Sequence, residues 1–251
     1  MANTMQSAVK QPPKVLGILG GLGPMATVYF YEMLTKHTRA KCDQDHIDVI
    51  INSRATTPDR TAYILGQSSE NPFDIMAADA ARLVTFGADV IAIPCNTAHY
   101  FYDRLNDSIA IPILNMVEET VLCAKARCSK VGILATSGTV QTGTYQRMCE
   151  KHALACAVPD KAGQAAVMHL IYDCIKQGKP ADMARFFAVA DGLRAQGCER
   201  IILGCTELSL IKRDERLDEF YVDSMEVLAK NAIETFGKIP VGFERAAQPA
   251  R

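Results

Sequence analysis

The chain has 251 residues, of which 49% are hydrophobic and 22% charged, and its formal net charge is −1. Such a composition is typical of a globular protein with one large domain or two small ones. Positive and negative charges are interspersed, which argues against nucleic acid or a membrane surface as a partner. No apolar run reaches the length of a membrane span, and residues 1–13 lack the apolar segment of a secretory signal.

Nine cysteines are scattered along the chain. Their number is odd, no Cys-x-x-Cys occurs, and no two histidines stand four residues apart. This pattern argues against a metal site and against a disulfide framework, and it predicts a reduced, cytoplasmic location. Most of these thiols are expected to be small buried hydrophobic groups.

Short β-branched runs alternate with longer helical segments along the chain. Strands are predicted at 14–19, 47–52, 89–94, 111–114, 130–135, 153–159, 200–204 and 220–223. Helices are predicted at 25–38, 71–87, 116–126, 143–152, 164–178, 181–197 and 224–237. This alternation favours an α/β fold with parallel sheets.

The pattern of the first half restarts in the second half. "KVLGILGG" corresponds to "KVGILATSG", and "GADVIAIPCNT" corresponds to "GCERIILGCTE", so that Cys95 and Cys205 each follow a glycine by eight residues. The repeat predicts two similar α/β domains related by a pseudo-twofold, with an active site in the cleft between them. The predicted ranges are 14–115 plus 223–237 for the first domain, 116–222 for the second, and 1–13 and 238–251 for flexible tails.

Cys95 and Cys205 are the strongest candidates for chemistry. Each follows a predicted strand and precedes polar residues that open the next helix. Free N–H groups at a helix N-terminus lower the pKa of a thiol. Two such thiols on opposite walls of a cleft are suited to act as acid and base. The alternative is that both are core cysteines at the ends of buried strands.

Other polar groups lie near the same predicted strand ends. Arg60 can form a bidentate hydrogen bond with a carboxylate. The commoner alternative is a surface arginine that pairs with Asp59. The loop "GGLGPMA" around Gly23 matches a dinucleotide motif by spacing. Because its second strand ends in Asn-Ser-Arg rather than in an acid, a loop that holds a small anion is favoured.

The remaining candidates each have a structural alternative. Hydroxyl groups at Thr136, Ser137 and Thr139 are placed to hold a substrate carboxylate or to cap the following helix. His99 and Glu207 stand close to the cysteines and are predicted to tune or orient the thiols; the alternative for His99 is a structural role on a helix face.

Five motifs together resemble a known family. "GILGGLGP", "PDRTAYI", "PCNTAH", "LATSGT" and "GCTEL" occur in order between Lys14 and Gly237. They are similar to the aspartate racemase branch of the aspartate/glutamate racemase superfamily. The resemblance implies a racemase without a cofactor that interconverts L- and D-aspartate as its small-molecule substrate, works as a homodimer, and uses Cys95 and Cys205 as its two bases.

The resemblance also assigns substrate contacts. The α-carboxylate and the amino group would be bound by Asn96, Thr97 and Thr206. Arg60 would bind a carboxylate. The family's second cation, a lysine, is replaced here by Ala165, with Lys161 as a nearby substitute for the distal carboxylate. The alternatives that stay open are a glutamate or broad-specificity racemase, a hydantoin racemase, a maleate isomerase, an arylmalonate decarboxylase, a dithiol redox protein and a non-catalytic carboxylate-binding module.

Overall fold

The computed structural model describes residues 14–243, which form two parallel β-sheets covered by helices. This arrangement confirms the predicted α/β class with parallel-sheet cores. The strands are β1 Val15–Gly20, β2 Asp48–Ser53, β3 Val90–Ala92, β4 Lys130–Ala135, β5 Ala155–Ala157, β6 Arg200–Gly204 and β7 Tyr221–Asp223. The α-helices are α1 Pro24–His37, α2 Arg60–Ile64, α3 Phe73–Thr85, α4 Tyr102–Asp107, α5 Met116–Lys125, α6 Ser137–Gln141, α7 Thr144–Lys151, α8 Lys161–His169, α9 Met183–Ala195, α10 Thr206–Glu215 and α11 Ser224–Thr235.

The two sheets repeat one strand order, in agreement with the repeat in the sequence. The first sheet runs β2-β1-β3, and the second runs β5-β4-β6 with β7 added beside β6. Gly17 of β1 pairs with Ile91 of β3, and Gly132 of β4 pairs with Ile201 of β6. β3 and β6 therefore occupy equivalent places, and each leads to one of the two cysteines.

Helices cover both faces of each sheet. In β1, Leu16 and Ile18 pack into a cluster with α1 and α11, whereas Leu19 packs into a cluster with α3. Burial on both faces explains why the strands read as continuous apolar runs. Leu228 and Ile233 of α11 belong to the cluster on the first sheet, so the last helix packs back across the chain. The exact domain boundaries stay a prediction.

One predicted strand, 111–114, is reduced to a single bridge between Ile91 and Ile113. Pro112 lacks an N–H and cannot extend a ladder of hydrogen bonds. Asn115 then ends the extended segment, because its side chain accepts the N–H of Glu118 at 3.1 Å and caps α5. The extended stretch is therefore too short to form a strand.

Two predicted elements in the second half also differ. The strand predicted at 153–159 shrinks to β5, because Ala153 turns the chain with a φ of 52° after α7. The helix predicted at 164–178 begins earlier, as α8, and then changes its winding. A π-helical turn follows at Leu170–Cys174, and a 3₁₀ turn follows at Ile175–Gln177.

The glycine loop after β1 is needed for packing. Gly21 has a φ of 84°, and a Cβ there would lie 2.4 Å from the backbone of Arg54. The N–H of Gly21 donates to Thr27 Oγ1 at 2.9 Å, which ties the loop to α1. Glycine is required because the loop passes directly against the end of β2.

Residues 238–243 contact the end of α1 and are not a loose tail. The N–H of Val241 donates to the carbonyl of His37 at 2.8 Å. The other predicted tail residues, 1–13 and 244–251, lie outside the described residues. Within the part of the chain that the structure describes, no helix combines the length and apolarity that crossing a membrane requires.

Candidate active site

Cys95 and Cys205 line one cavity at the carboxyl ends of β3 and β6, where ligands of parallel α/β folds bind. Residues from both sheets form its wall. The lining residues are Leu22, Asp59, Arg60, Thr61, Cys95, Asn96, Thr97, Thr136, Tyr172, Lys176, Cys205, Thr206 and Glu207. The structure therefore brings the two predicted thiols together with Arg60, Thr97 and Thr206.

The cavity is nearly closed. Its free volume of about 10 Å³ is room for about one water molecule. An amino acid enters only if the walls move apart. Closure of this kind also excludes water from whatever is bound.

The backbone of Cys95 is held by a buried histidine. The Cys95 carbonyl lies 2.9 Å from His99 Nδ1, and the N–H of Met116 donates to His99 Nε2 at 3.2 Å. Burial lowers the pKa of His99, so the ring is neutral with its proton on Nδ1. His99 therefore orients the turn that carries Cys95. The Cys95 thiol itself has no hydrogen-bond partner among residues 14–243.

The side-chain amide of Asn96 is bound within the core. Its Oδ1 accepts the hydroxyl of Tyr145 at 2.5 Å, and its Nδ2 donates to Ser224 Oγ at 2.9 Å. Asn96 therefore joins the end of β3 to α7 and α11. A contact between this amide and a substrate would require one of these bonds to break.

Cys205 stands at the start of α10 beside a carboxylate. Its Sγ donates to Glu207 Oε2 at 3.0 Å, and Thr206 Oγ1 donates to the same oxygen at 3.4 Å. Burial raises the pKa of Cys205 well above its usual value, and the charge of Glu207 raises it further. The expectation that the helix N-terminus lowers this pKa is wrong for Cys205, which is a neutral thiol.

Lys176 is a cation in the cavity that sequence reasoning missed. Its Nζ lies 3.5 Å from Glu207 Oε1 and 4.9 Å from the centre of the Tyr172 ring. Burial lowers the pKa of Lys176, but Glu207 and the other ionisable groups of the cavity together outweigh this effect, and the net shift is upward. Lys176 is charged, and it faces the cavity because the chain after α8 is wound as a π turn and then a 3₁₀ turn.

The same segment closes the cavity against α2. The hydroxyl of Tyr172 lies 3.4 Å from Asp59 Oδ2. Asp59 also caps α2, where its Oδ1 accepts the N–H of Ala62 at 2.8 Å. Neither Tyr172 nor Asp59 was a sequence candidate for the site. π-Helical turns occur often at functional sites, but the apolar spacing at 164–178 carried no signal for one.

Arg60 is buried at the start of α2 and is only 7% exposed. Its guanidinium donates to the carbonyls of Leu22, Thr57 and Pro58 at 2.9–3.2 Å. Its Nε is buried without a partner. The alternative of a surface arginine paired with Asp59 is therefore wrong. A buried cation with an open donor, and with no carboxylate bonded to it in the described region, favours an anionic ligand.

Thr97 and Thr136 line the cavity, and their hydroxyls form a small network with that of Thr139 behind them. Thr97 Oγ1 lies 3.0 Å from Thr136 Oγ1 and 3.2 Å from Thr139 Oγ1. Thr136 caps α6 by accepting the N–H of Thr139 at 3.3 Å, as the capping alternative predicts. Ser137 does not line the cavity, and its hydroxyl accepts from Gln164 at 3.3 Å.

Two further candidates lie at or beyond the edge of the site. A Cβ on Gly23 would lie 3.5 Å from Glu207 Oε1, so the glycine loop borders the carboxylate that Cys205 contacts. Lys161 is exposed on the first turn of α8, and Ala165 is exposed on the same helix. Neither lines the cavity, so Lys176 stands where Lys161 was expected.

The comparisons with known proteins identify the family. A model of the Asp/Glu/hydantoin racemase family matches residues 19–232. The chain belongs to this family. As a family member it is similar to the broad specificity amino-acid racemase RacX of Bacillus subtilis, with 29% identity over 88% of this chain and 98% of RacX.

Solved structures of the family share the architecture. The Picrophilus torridus aspartate racemase is 30% identical and superposes with a TM-score of 0.77 over 91% of this chain and 96% of its own. An aspartate racemase homologue from Pyrococcus horikoshii is 24% identical, with a TM-score of 0.73 over 89% and 99% of the two chains. The second likeness concerns the fold alone. Membership in the family supports an isomerase that acts on an amino acid.

Proposed function

We propose that the protein interconverts L- and D-aspartate without a cofactor, with Cys95 and Cys205 as its two bases. One observation carries the proposal: two thiols from equivalent places in the two sheets line the same small cavity. Inversion at one carbon requires a group on each of its faces. A repeated fold whose two cysteines meet at one cavity supplies such a pair.

In the proposed reaction, the thiolate of one cysteine removes the α-proton. The electron pair of the broken C–H bond moves toward the α-carboxylate. The thiol of the other cysteine then donates its proton to the opposite face and becomes the thiolate. Negative charge grows on the carboxylate during this step, so a buried guanidinium such as that of Arg60 would stabilise it.

Two cations support an acidic substrate, although Asp59 and Glu207 also line the cavity. Arg60 and Lys176 both line the cavity, and an aspartate brings two carboxylates. The similarity to the Picrophilus torridus aspartate racemase supports the same substrate class. The second candidate is a broad-specificity racemase, favoured by the similarity to RacX and by the contact that Lys176 already makes with Glu207. The homodimer and the cytoplasmic location stay predictions.

The test is incubation of L-aspartate with the purified protein in deuterium oxide and without added cofactor. D-aspartate that carries one deuterium at the α-carbon is expected, detected by chiral chromatography and mass spectrometry. L-glutamate and L-alanine in parallel separate the aspartate proposal from the broad-specificity candidate. If no amino acid exchanges its α-proton, the racemase proposal is refuted and a carboxylate-binding module becomes the better account.

Cys198→Ser is the matched control for the two cysteines of the cavity. Cys198 is 5% exposed, as is Cys205, but it does not line the cavity. Cys95→Ser and Cys205→Ser are expected to lose nearly all racemisation, whereas Cys198→Ser keeps it. Equal losses in all three variants would point to damage of the fold rather than to two bases.

A further inference from the structure

The two thiols stand in equivalent places but have unequal partners. Cys205 Sγ donates to a carboxylate oxygen of Glu207 at 3.0 Å. The thiol of Cys95 has no hydrogen-bond partner in residues 14–243. The difference follows from sequence, because the helix after Cys205 opens with Thr-Glu and the turn after Cys95 opens with Asn-Thr.

Glu207 is held beside Cys205 by contacts on its other carboxylate oxygen. Lys176 Nζ lies 3.5 Å from Glu207 Oε1, and the side chain of Glu207 is only 9% exposed. The glycine loop packs beside it, since a Cβ on Gly23 would lie 3.5 Å from Oε1. The carboxylate is therefore fixed between the loop, the lysine and the thiol.

Besides Cys95 after β3, the charged or titratable groups that line the cavity with Cys205 come from three parts of the chain. Glu207 comes from α10. Lys176 and Tyr172 come from the segment after α8, and Asp59 and Arg60 come from the wall of α2. Of these, Glu207 is the one hydrogen-bonded to the thiol. A carboxylate oxygen that accepts a hydrogen bond from a thiol favours the protonated form of that thiol.

We propose that Glu207 is a positioning residue that keeps the proton of the ligand-free site on Cys205, so that Cys95 is the thiolate that begins the reaction. This inference rests on the proposed two-base function. The enantiomer whose α-hydrogen faces Cys95 then reacts at once. For the opposite enantiomer, Cys205 must first lose its proton and Cys95 must gain one. Water is the source and the acceptor of these protons.

Alkylation of the ligand-free protein tests the assignment better than steady-state kinetics. L- and D-forms of one amino acid have equal free energy, so kcat/KM is equal in both directions whichever thiol holds the proton. Iodoacetamide reacts with the thiolate, and both thiols share one cavity. Peptide mapping by mass spectrometry reads the alkylation rate of each cysteine from about pH 6 to about pH 10.

In the wild type at about pH 7, Cys95 is expected to react at least about tenfold faster than Cys205, because the contact with Glu207 keeps Cys205 protonated. Glu207→Gln removes the charge and keeps the shape, so Cys205 should react at lower pH. Lys176→Met removes the cation that opposes Glu207, so Cys205 should react only at higher pH. The two substitutions must therefore shift the profile in opposite directions.

Glu118→Gln is the matched control, because Glu118 pairs with Lys151 at 2.6 Å outside the cavity. It should leave both alkylation profiles unchanged. The proposal is overturned if Cys205 reacts before Cys95 in the wild type, or if Glu207→Gln leaves the Cys205 profile in place. If Glu207→Gln fails to fold, Lys176→Met still decides by the direction of its shift.

Thiolate absorbance in the ultraviolet gives a second measurement that does not depend on reagent access. The ionisation of the Cys205 thiol is identified as the absorbance step that Cys205→Ser lacks, and that of Cys95 as the step that Cys95→Ser lacks. The Cys205 step is expected at the higher pH, and the reverse order overturns the proposal. Neither measurement needs turnover. A protein that shows the predicted thiol order but racemises nothing would refute the proposed function and leave the proton assignment standing.

Discussion

Replacement of Arg60 by lysine tests whether the buried guanidinium binds a substrate carboxylate. Arginine has five N–H donors, and three bonds to the carbonyls of Leu22, Thr57 and Pro58 occupy part of this set. The buried Nε–H stays open. Lysine keeps the charge but has one ammonium group and no fork.

The size of the effect follows from the hydrogen bond that is lost. Lysine keeps the charge but loses the guanidinium hydrogen bond to the carboxylate, and a hydrogen bond to a charged group is worth about 1.5–3 kcal/mol. Because about 1.36 kcal/mol is a factor of ten, kcat/KM for aspartate should fall by about 10-fold to about 160-fold. The three carbonyls also lose donors, so a loss of stability of about 1–3 kcal/mol is expected in the same variant.

The assay is kcat/KM for L-aspartate and L-alanine, together with the free energy of unfolding in urea. If Arg60 binds the α-carboxylate, kcat/KM of Arg60→Lys falls equally for both substrates. If Arg60 binds the distal carboxylate, kcat/KM falls for aspartate alone. Arg54→Lys is the control, because Arg54 forks onto Asp79 at 2.6 and 2.8 Å outside the cavity. Full kcat/KM in Arg60→Lys would refute the role of Arg60.

Three further predictions follow from contacts around the site. Cys95→Ser and Cys205→Ser should each abolish the conversion of L-aspartate to D-aspartate, and a fully active single variant would contradict the two-base scheme. Tyr145→Phe leaves Asn96 Oδ1 without its donor, so the free energy of unfolding in urea should fall by about 1–3 kcal/mol; an unchanged value would show that the bond stabilises nothing. Burial raises the pKa of Asp223 to about 6, so the folded protein binds this proton more tightly than the unfolded chain. Its contribution to stability should therefore fall as pH rises from about 4 to about 6, and Asp223→Asn should flatten that part of a urea-midpoint profile; an identical slope in the variant would refute the assignment.

The strands and the two thiols could be predicted because local sequence encodes them directly. β4 and β6 run from Lys130 to Ala135 and from Arg200 to Gly204, the same bounds that their apolar runs predict. Parallel strands buried on both faces leave little ambiguity in such runs. The repeat then placed Cys95 and Cys205 at equivalent strand ends, which the shared strand order of the two sheets bears out.

Groups that depend on winding or on long-range contacts could not be predicted. Lys176 reaches the cavity because a π turn and a 3₁₀ turn interrupt a segment whose apolar spacing predicts a continuous α-helix. Asn96 looked like a free donor, yet Tyr145 and Ser224 use its amide. Both partners lie far along the chain, and no local pattern links them to residue 96.

The repeat explains two thiols, but it does not make them alike. Equivalent strands deliver equivalent backbone positions, whereas the residues after each thiol decide what the thiol contacts. Cys205 meets Glu207, while the Cys95 turn meets His99 through its carbonyl alone. Two equivalent thiols in one cavity could also share a single proton, but the contact with Glu207 decides which of the two holds it. The symmetry of the sheets therefore supplies the two thiols of the proposed chemistry, and the asymmetry of the side chains sets where its proton rests.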